Sequence, residues 1–169
     1  AVTAALPAHL INLLRERGLS EAWVIAVPAS IGAIQVLGRV LLYLFEHRFD
    51  VHRSNALIPC LIPLGLLCLL AGGVHVVGAW LFVAFYGLGN GMLTIVKGTA
   101  MAQYVSRAHV ASLNGALGVP MALARAAAPL ALGLMWDPAG GYRSGLWALL
   151  VASVLAIGAL WQAQRRSRA

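Results

Sequence analysis

Carboxylates are scarce in this chain. Asp and Glu together number 5, and none of Glu16, Glu21, Glu46, Asp50 and Asp137 lies deep within an apolar run, so no carboxylate proton relay is visible at membrane depth. Charge of either sign is low, at 10% of residues; a soluble domain carries about a quarter, which excludes an ordinary soluble fold. Cysteine is limited to Cys60 and Cys68. On one helix they would stand about 12 Å apart along the axis, too far for a disulfide. Neither takes part in a CxxC or HxxxH pairing, so no metal site is expected. HExxH and Ser/His or Asp/Asp constellations are also lacking, which removes the usual basis for an enzyme. His9, His47, His52, His75 and His109 are scattered and read as interfacial. No cofactor is implied.

What the chain has in quantity is apolar sequence: 61% of its 169 residues are hydrophobic and mean hydropathy is +0.85. A bilayer core about 30 Å thick takes roughly 20 mostly apolar residues per helix. Such stretches recur, separated by short polar segments, and predict an all-α polytopic bundle. A first apolar segment, residues 1–14, is too short to cross alone and reads as a truncated span. Further spans are expected at about residues 23–45, 56–71, 76–96, 111–136 and 145–161. Gly72-Gly73-Val74-His75 predicts a tight turn joining the third and fourth spans into a hairpin. Asp137-Pro-Ala-Gly-Gly-Tyr-Arg143 predicts another turn. Lys97 to His109, with Gln103, Ser106 and Arg107 interleaved with Met101, Tyr104 and Val105, suits an interfacial helix.

A net charge of +7 and a pI of about 10.5 could suggest nucleic acid, but the cations lie mostly between apolar spans rather than on a soluble face. Counted by alternate loops, Arg48, Arg53, Lys97, Arg107, Arg165, Arg166 and Arg168 fall on one side, against Arg15, Arg17 and Arg143 on the other. Cations gather on the cytoplasmic side, so the carboxy terminus is expected inside, in a bacterial-type inner membrane. The opening Ala-Val-Thr, without Met, basic leader or signal pattern, reads as the middle of a longer protein.

Gly38-Arg39, followed by Glu46-His-Arg-Phe-Asp50 and His52-Arg53, is similar to the degenerate second copy of the cytoplasmic signature of the major facilitator superfamily, with His47 where that pattern has an acid. Tyr86-Gly-Leu-Gly-Asn-Gly91 with Lys97-Gly98-Thr99, and Ala124-Arg-Ala-Ala-Ala-Pro129 with Gly140-Gly-Tyr142, add to the likeness. With six spans and an inside carboxy terminus, nearly the whole chain resembles helices seven to twelve of that family. The resemblance implies one six-helix half of a twelve-helix carrier, with three-helix repeats inside each half. Gly32 to Arg39 and Gly118 to Arg125 both read Gly-x6-Arg, as structural counterparts would.

Candidate residues follow from position. Arg125 lies near the middle of a span, where an arginine costs about 2.5–3.5 kcal/mol, and Pro129 cannot donate to the Arg125 carbonyl. It reads as a substrate-anion or gating contact, or as a structural arginine between helices. Gln35 shares a face with Arg39. Tyr86, Asn90 and Thr94 form one stripe on a helix thinned by Gly87, Gly89 and Gly91, suited to bending or to close packing. Gln35, Tyr86, Asn90, Thr94 and Arg125 are the substrate-path candidates; Arg39, Arg48, Asp50 and Arg53 are the cytoplasmic latch candidates. The expected activity is secondary transport of a small anionic or polar solute by alternating access, with efflux as the favoured direction. Expected partners are the amino-terminal half of the same protein, the bilayer and the solute. A non-transporting assembly or sensor subunit and a membrane-integral enzyme are the alternatives.

Overall fold

The computed structural model describes residues 2–45, 54, 56–72, 75–104 and 110–166. Where water is excluded, backbone N–H and C=O groups must be satisfied within the segment itself, and an apolar chain therefore winds into helices. Six α-helices result among the described residues: α1 (Val2–Glu16), α2 (Glu21–Phe45), α3 (Leu61–Ala71), α4 (Val76–Tyr104), α5 (Val110–Leu134) and α6 (Arg143–Arg166), with a 3-10 turn at Ile58–Cys60 leading into α3. Pro59 has no N–H to give, so the ladder before α3 begins as that tighter turn.

Among the described residues, four stretches are long and apolar enough to cross a membrane: Glu21–Phe45, Val76–Val96, Gly115–Leu134 and Arg143–Gln162. At 1.5 Å per residue, the 25 residues of α2 span about 37 Å. The 11 residues of α3 reach only about 16 Å, so the segment expected to cross at 56–71 is a short apolar helix. α4 continues without interruption to Tyr104, where a separate interfacial helix was expected from Lys97 onward. A lone Gly98 weakens a helix by about 1 kcal/mol and does not end one.

The chain reverses at each turn, so the α1–α2, α3–α4 and α5–α6 turns gather at one end of the bundle. α1 stops where Gly18 takes φ +76°. The Gly18 N–H bonds the Arg15 carbonyl at 2.9 Å and the Leu19 N–H bonds that of Leu14 at 3.3 Å, the Schellman pair that a left-handed glycine closes. Trp23, Trp80 and Trp136, each partly exposed, ring this end, as indoles do at a membrane interface.

α4 is the central helix, packed on α2 along one side and on α3 along another, while α1 packs on α5 and on α2, and α3 touches α6. Buried side chains recur at helical spacing on the facing sides: Leu6, Leu10, Leu13 and Leu14 of α1, and Ala79, Phe82, Val83 and Tyr86 of α4. Between lipid-bathed helices no hydrophobic force favours association, so close backbone approach must supply it. A Cβ on Gly38 would stand 2.8 Å from the Leu88 carbonyl, and one on Gly91 would overlap the Gln35 carbonyl. Gly89 turns the other way, toward Leu61 of α3.

Candidate functional site

The residues singled out on the spans occupy two separate places. Gly91 of α4 abuts the Gln35 backbone of α2, so Gln35, Asn90 and Thr94 lie near one crossing. Gln35 and Asn90 are half-buried and Thr94 is exposed, its hydroxyl bonded to the Gly91 carbonyl at 2.7 Å. Tyr86 is fully buried, stacked on Phe82 with ring centroids 5.0 Å apart and its hydroxyl 3.4 Å from the Thr3 carbonyl. Tyr86 is thereby part of the core between α1 and α4.

Arg125 stands apart from this group, exposed on α5, the helix that packs on α1. Only 6% of the apolar stretch of α5 is buried within the molecule, against 44% for α4. Arg125 thus projects from the least covered helix. Of the latch candidates, Arg39 is exposed on α2; Arg48, Asp50 and Arg53 lie outside the described residues.

A third locus, at the end where the three turns meet, ties α1 to the ends of α3 and α5 through polar contacts. Glu16, at the last position of α1, accepts the Trp136 indole N–H at 2.6 Å. Arg17 donates to the Leu69 carbonyl and so ties the α1–α2 turn to the end of α3. Burial pushes the Arg17 guanidinium down from its usual value, yet it stays a cation. Arg15 grips Glu21 bidentately at 2.7 and 2.9 Å. Gly141, at φ +56°, leaves room for the Glu16 carboxylate, which would lie 2.8 Å from a Cβ there.

About two turns deeper on the same side, His9 of α1 bridges α5 and the start of α6. Its Nε2 lies 2.9 Å from the Pro129 carbonyl and its Nδ1 lies 3.0 Å from the Tyr142 hydroxyl. A carbonyl only accepts, so Nε2 carries hydrogen; in the neutral ring Nδ1 is then bare and the Tyr142 O–H donates to it. Beside these contacts lies an open cleft of about 690 Å³ whose polar lining includes Glu16, Arg17, Asp137, Tyr142 and Arg143, a volume within the range of small-molecule pockets.

This cluster was not apparent in the sequence. His9 and Tyr142 are separated by 133 positions, and no local periodicity relates them. The only signal was the breaker-rich motif at Asp137–Arg143, which marked a turn without saying what it faces. No family model matches the chain, and neither a curated protein nor a solved structure matches it.

Proposed function

We propose that this chain is one six-helix half of a secondary transporter of the major facilitator type, moving a small anionic or polar solute by alternating access. The observation that carries the reading is Arg125 on the open face of α5. It lies about 22 Å along the helix from Val110 and about 13 Å from Leu134, which is mid-depth for a crossing helix. Facing lipid there, it would cost about 2.5–3.5 kcal/mol. Facing a water-filled path or a second helical half, it meets solvent, solute or a counter-charge instead.

Packing supports the same reading. α2 lies against α4 and α5 lies against α1. Exchanging the first three helices with the last three turns one pair into the other, which a three-helix repeat requires. On this reading the basic loops and carboxy terminus are cytoplasmic, in a bacterial-type inner membrane, and the three-turn cleft opens outward. Arg39 with Arg48, Asp50 and Arg53 closes the inner side, and the chain itself performs no covalent chemistry. A second reading, a non-transporting assembly subunit, draws on Gly115 and Gly118, which have open space around them and would admit a close-packed partner helix.

Water access separates the two. A cysteine at Arg125, in the full-length protein with Cys60 and Cys68 replaced, is expected to react with a membrane-impermeant maleimide, while one at the exposed, apolar position Leu155 on α6 does not. An Arg125 position as inert as Leu155 contradicts the transporter reading.

A further inference from the structure

His9 is placed to do more than join helices. Its two ring nitrogens have partners of different kinds: a carbonyl that only accepts, and a phenol that can donate or accept. In the neutral ring, Nε2–H donates to Pro129 and the Tyr142 hydroxyl donates to Nδ1. If the ring gains a proton, Nδ1–H donates to the Tyr142 oxygen, whose own hydrogen turns away. Neither state leaves a ring nitrogen unpaired, and the change needs only the turn of one hydroxyl. A purely structural clamp has no need of a partner with both roles.

Tyr142 also lines the cleft, so the residue whose hydroxyl meets His9 is itself part of the cleft wall. We propose that His9 is a proton-binding site, loaded from the cleft through the Tyr142 hydroxyl. An excess proton carried as hydronium by water in the cleft passes to the Tyr142 oxygen as the phenolic proton moves to His9 Nδ1, leaving neutral water behind. The tyrosine ends neutral, as it began, and the imidazole ends as the cation. Histidine is the side chain that ordinarily makes this change between pH 5 and 8.

The surrounding charges are compatible with a loaded ring. Glu16 lies about 10 Å further along α1, and Asp137 lines the cleft beside it. Arg17 is tied to the Leu69 carbonyl and Arg15 to Glu21 at the head of α2. Arg143 lines the cleft, and Arg125 stands one turn before Pro129 on α5. Gly133 keeps the ring within reach of α5, since a Cβ there would lie 3.4 Å from His9 Cε1. Use of the proton to drive solute rests on the transporter reading; the binding site does not, and a protein that moves nothing would still titrate.

The test is nitrogen-15 NMR of histidine-labelled full-length protein in nanodiscs between pH 8 and 5. His9→Gln identifies the His9 signals by their loss. Gln also offers an N–H to Pro129 and an oxygen to Tyr142 without taking a proton, so the variant is expected to fold. The expected result is a neutral ring with hydrogen on Nε2 at pH 8 and both nitrogens protonated at pH 5. In Tyr142→Phe the neutral ring loses a donor and the protonated ring loses the stronger, charge-assisted bond, so the midpoint is expected to fall. A His9 ring still neutral at pH 5, or a midpoint unmoved by Tyr142→Phe, overturns the proposal.

Discussion

Replacing Gly91 by alanine is expected to unseat α2 from α4 and to lower stability by about 3 kcal/mol, the upper end of what overpacking costs. The ordinary remedy for an added methyl is rotation of a neighbouring side chain, but here the neighbour is backbone. A Cβ on Gly91 would overlap the Gln35 carbonyl oxygen and lie 2.9 Å from the Gln35 Cα. Relief requires the helices to separate, and Gly38 against Leu88 on the same seam loses its contact with them. Gly115→Ala is the matched control. With nothing within 4 Å of its added methyl, that variant is expected to be neutral or to gain up to about 1 kcal/mol from helix propensity. Thermal unfolding of both variants in the same detergent checks the pair; equal midpoints would mean that the α2–α4 seam is not the close contact described.

Arg125→Ala is expected to reduce solute transport in proteoliposomes about 30-fold at unchanged protein abundance. A hydrogen bond to a charged partner contributes about 2 kcal/mol, and each 1.4 kcal/mol is a factor of ten. Abundance should hold because the side chain is exposed on α5 and removing it opens no cavity among the described residues. Arg125→Lys keeps the charge without the planar fork and is expected to fall between. Full transport by Arg125→Ala would remove this residue from the solute path and with it the main support for the function proposed.

The helical layout was legible because its signals are local. Apolar length marked the stretches around α2, α4, α5 and α6, and the Gly-Gly-Val-His segment marked the reversal into α4. Boundaries were less legible. Lys97 and Gln103 suggested a surface helix, yet a polar residue does not stop a helix that lacks a breaker, and α4 runs to Tyr104. In the same way α6 carries on to Arg166, past the end expected for the last span at about residue 161.

The site was legible only in part. Arg125 stood out because the energetic penalty of a charge can be read from its neighbours in sequence. Tyr86 looked like a member of a polar stripe by spacing, but which stripe faces a neighbour depends on packing, and α4 turns Tyr86 onto Phe82 and toward α1. The Glu16–Trp136 and His9–Tyr142 contacts join opposite ends of the chain. They arise only once α1 is laid against α5, which no segment of the sequence specifies by itself.

On the proposed reading, the face bearing Arg125 and the α2–α4 crossing near Asn90, separate within this chain, border one path that opens alternately to the two sides of the membrane. Its most direct measurement is cysteine labelling from each side in turn, at positions 90 and 125 of the full-length protein, with and without a transported solute. The account predicts that solute shifts labelling at both positions from one side to the other. Protection at both positions from both sides, under every condition, would contradict it and leave these residues to helix packing.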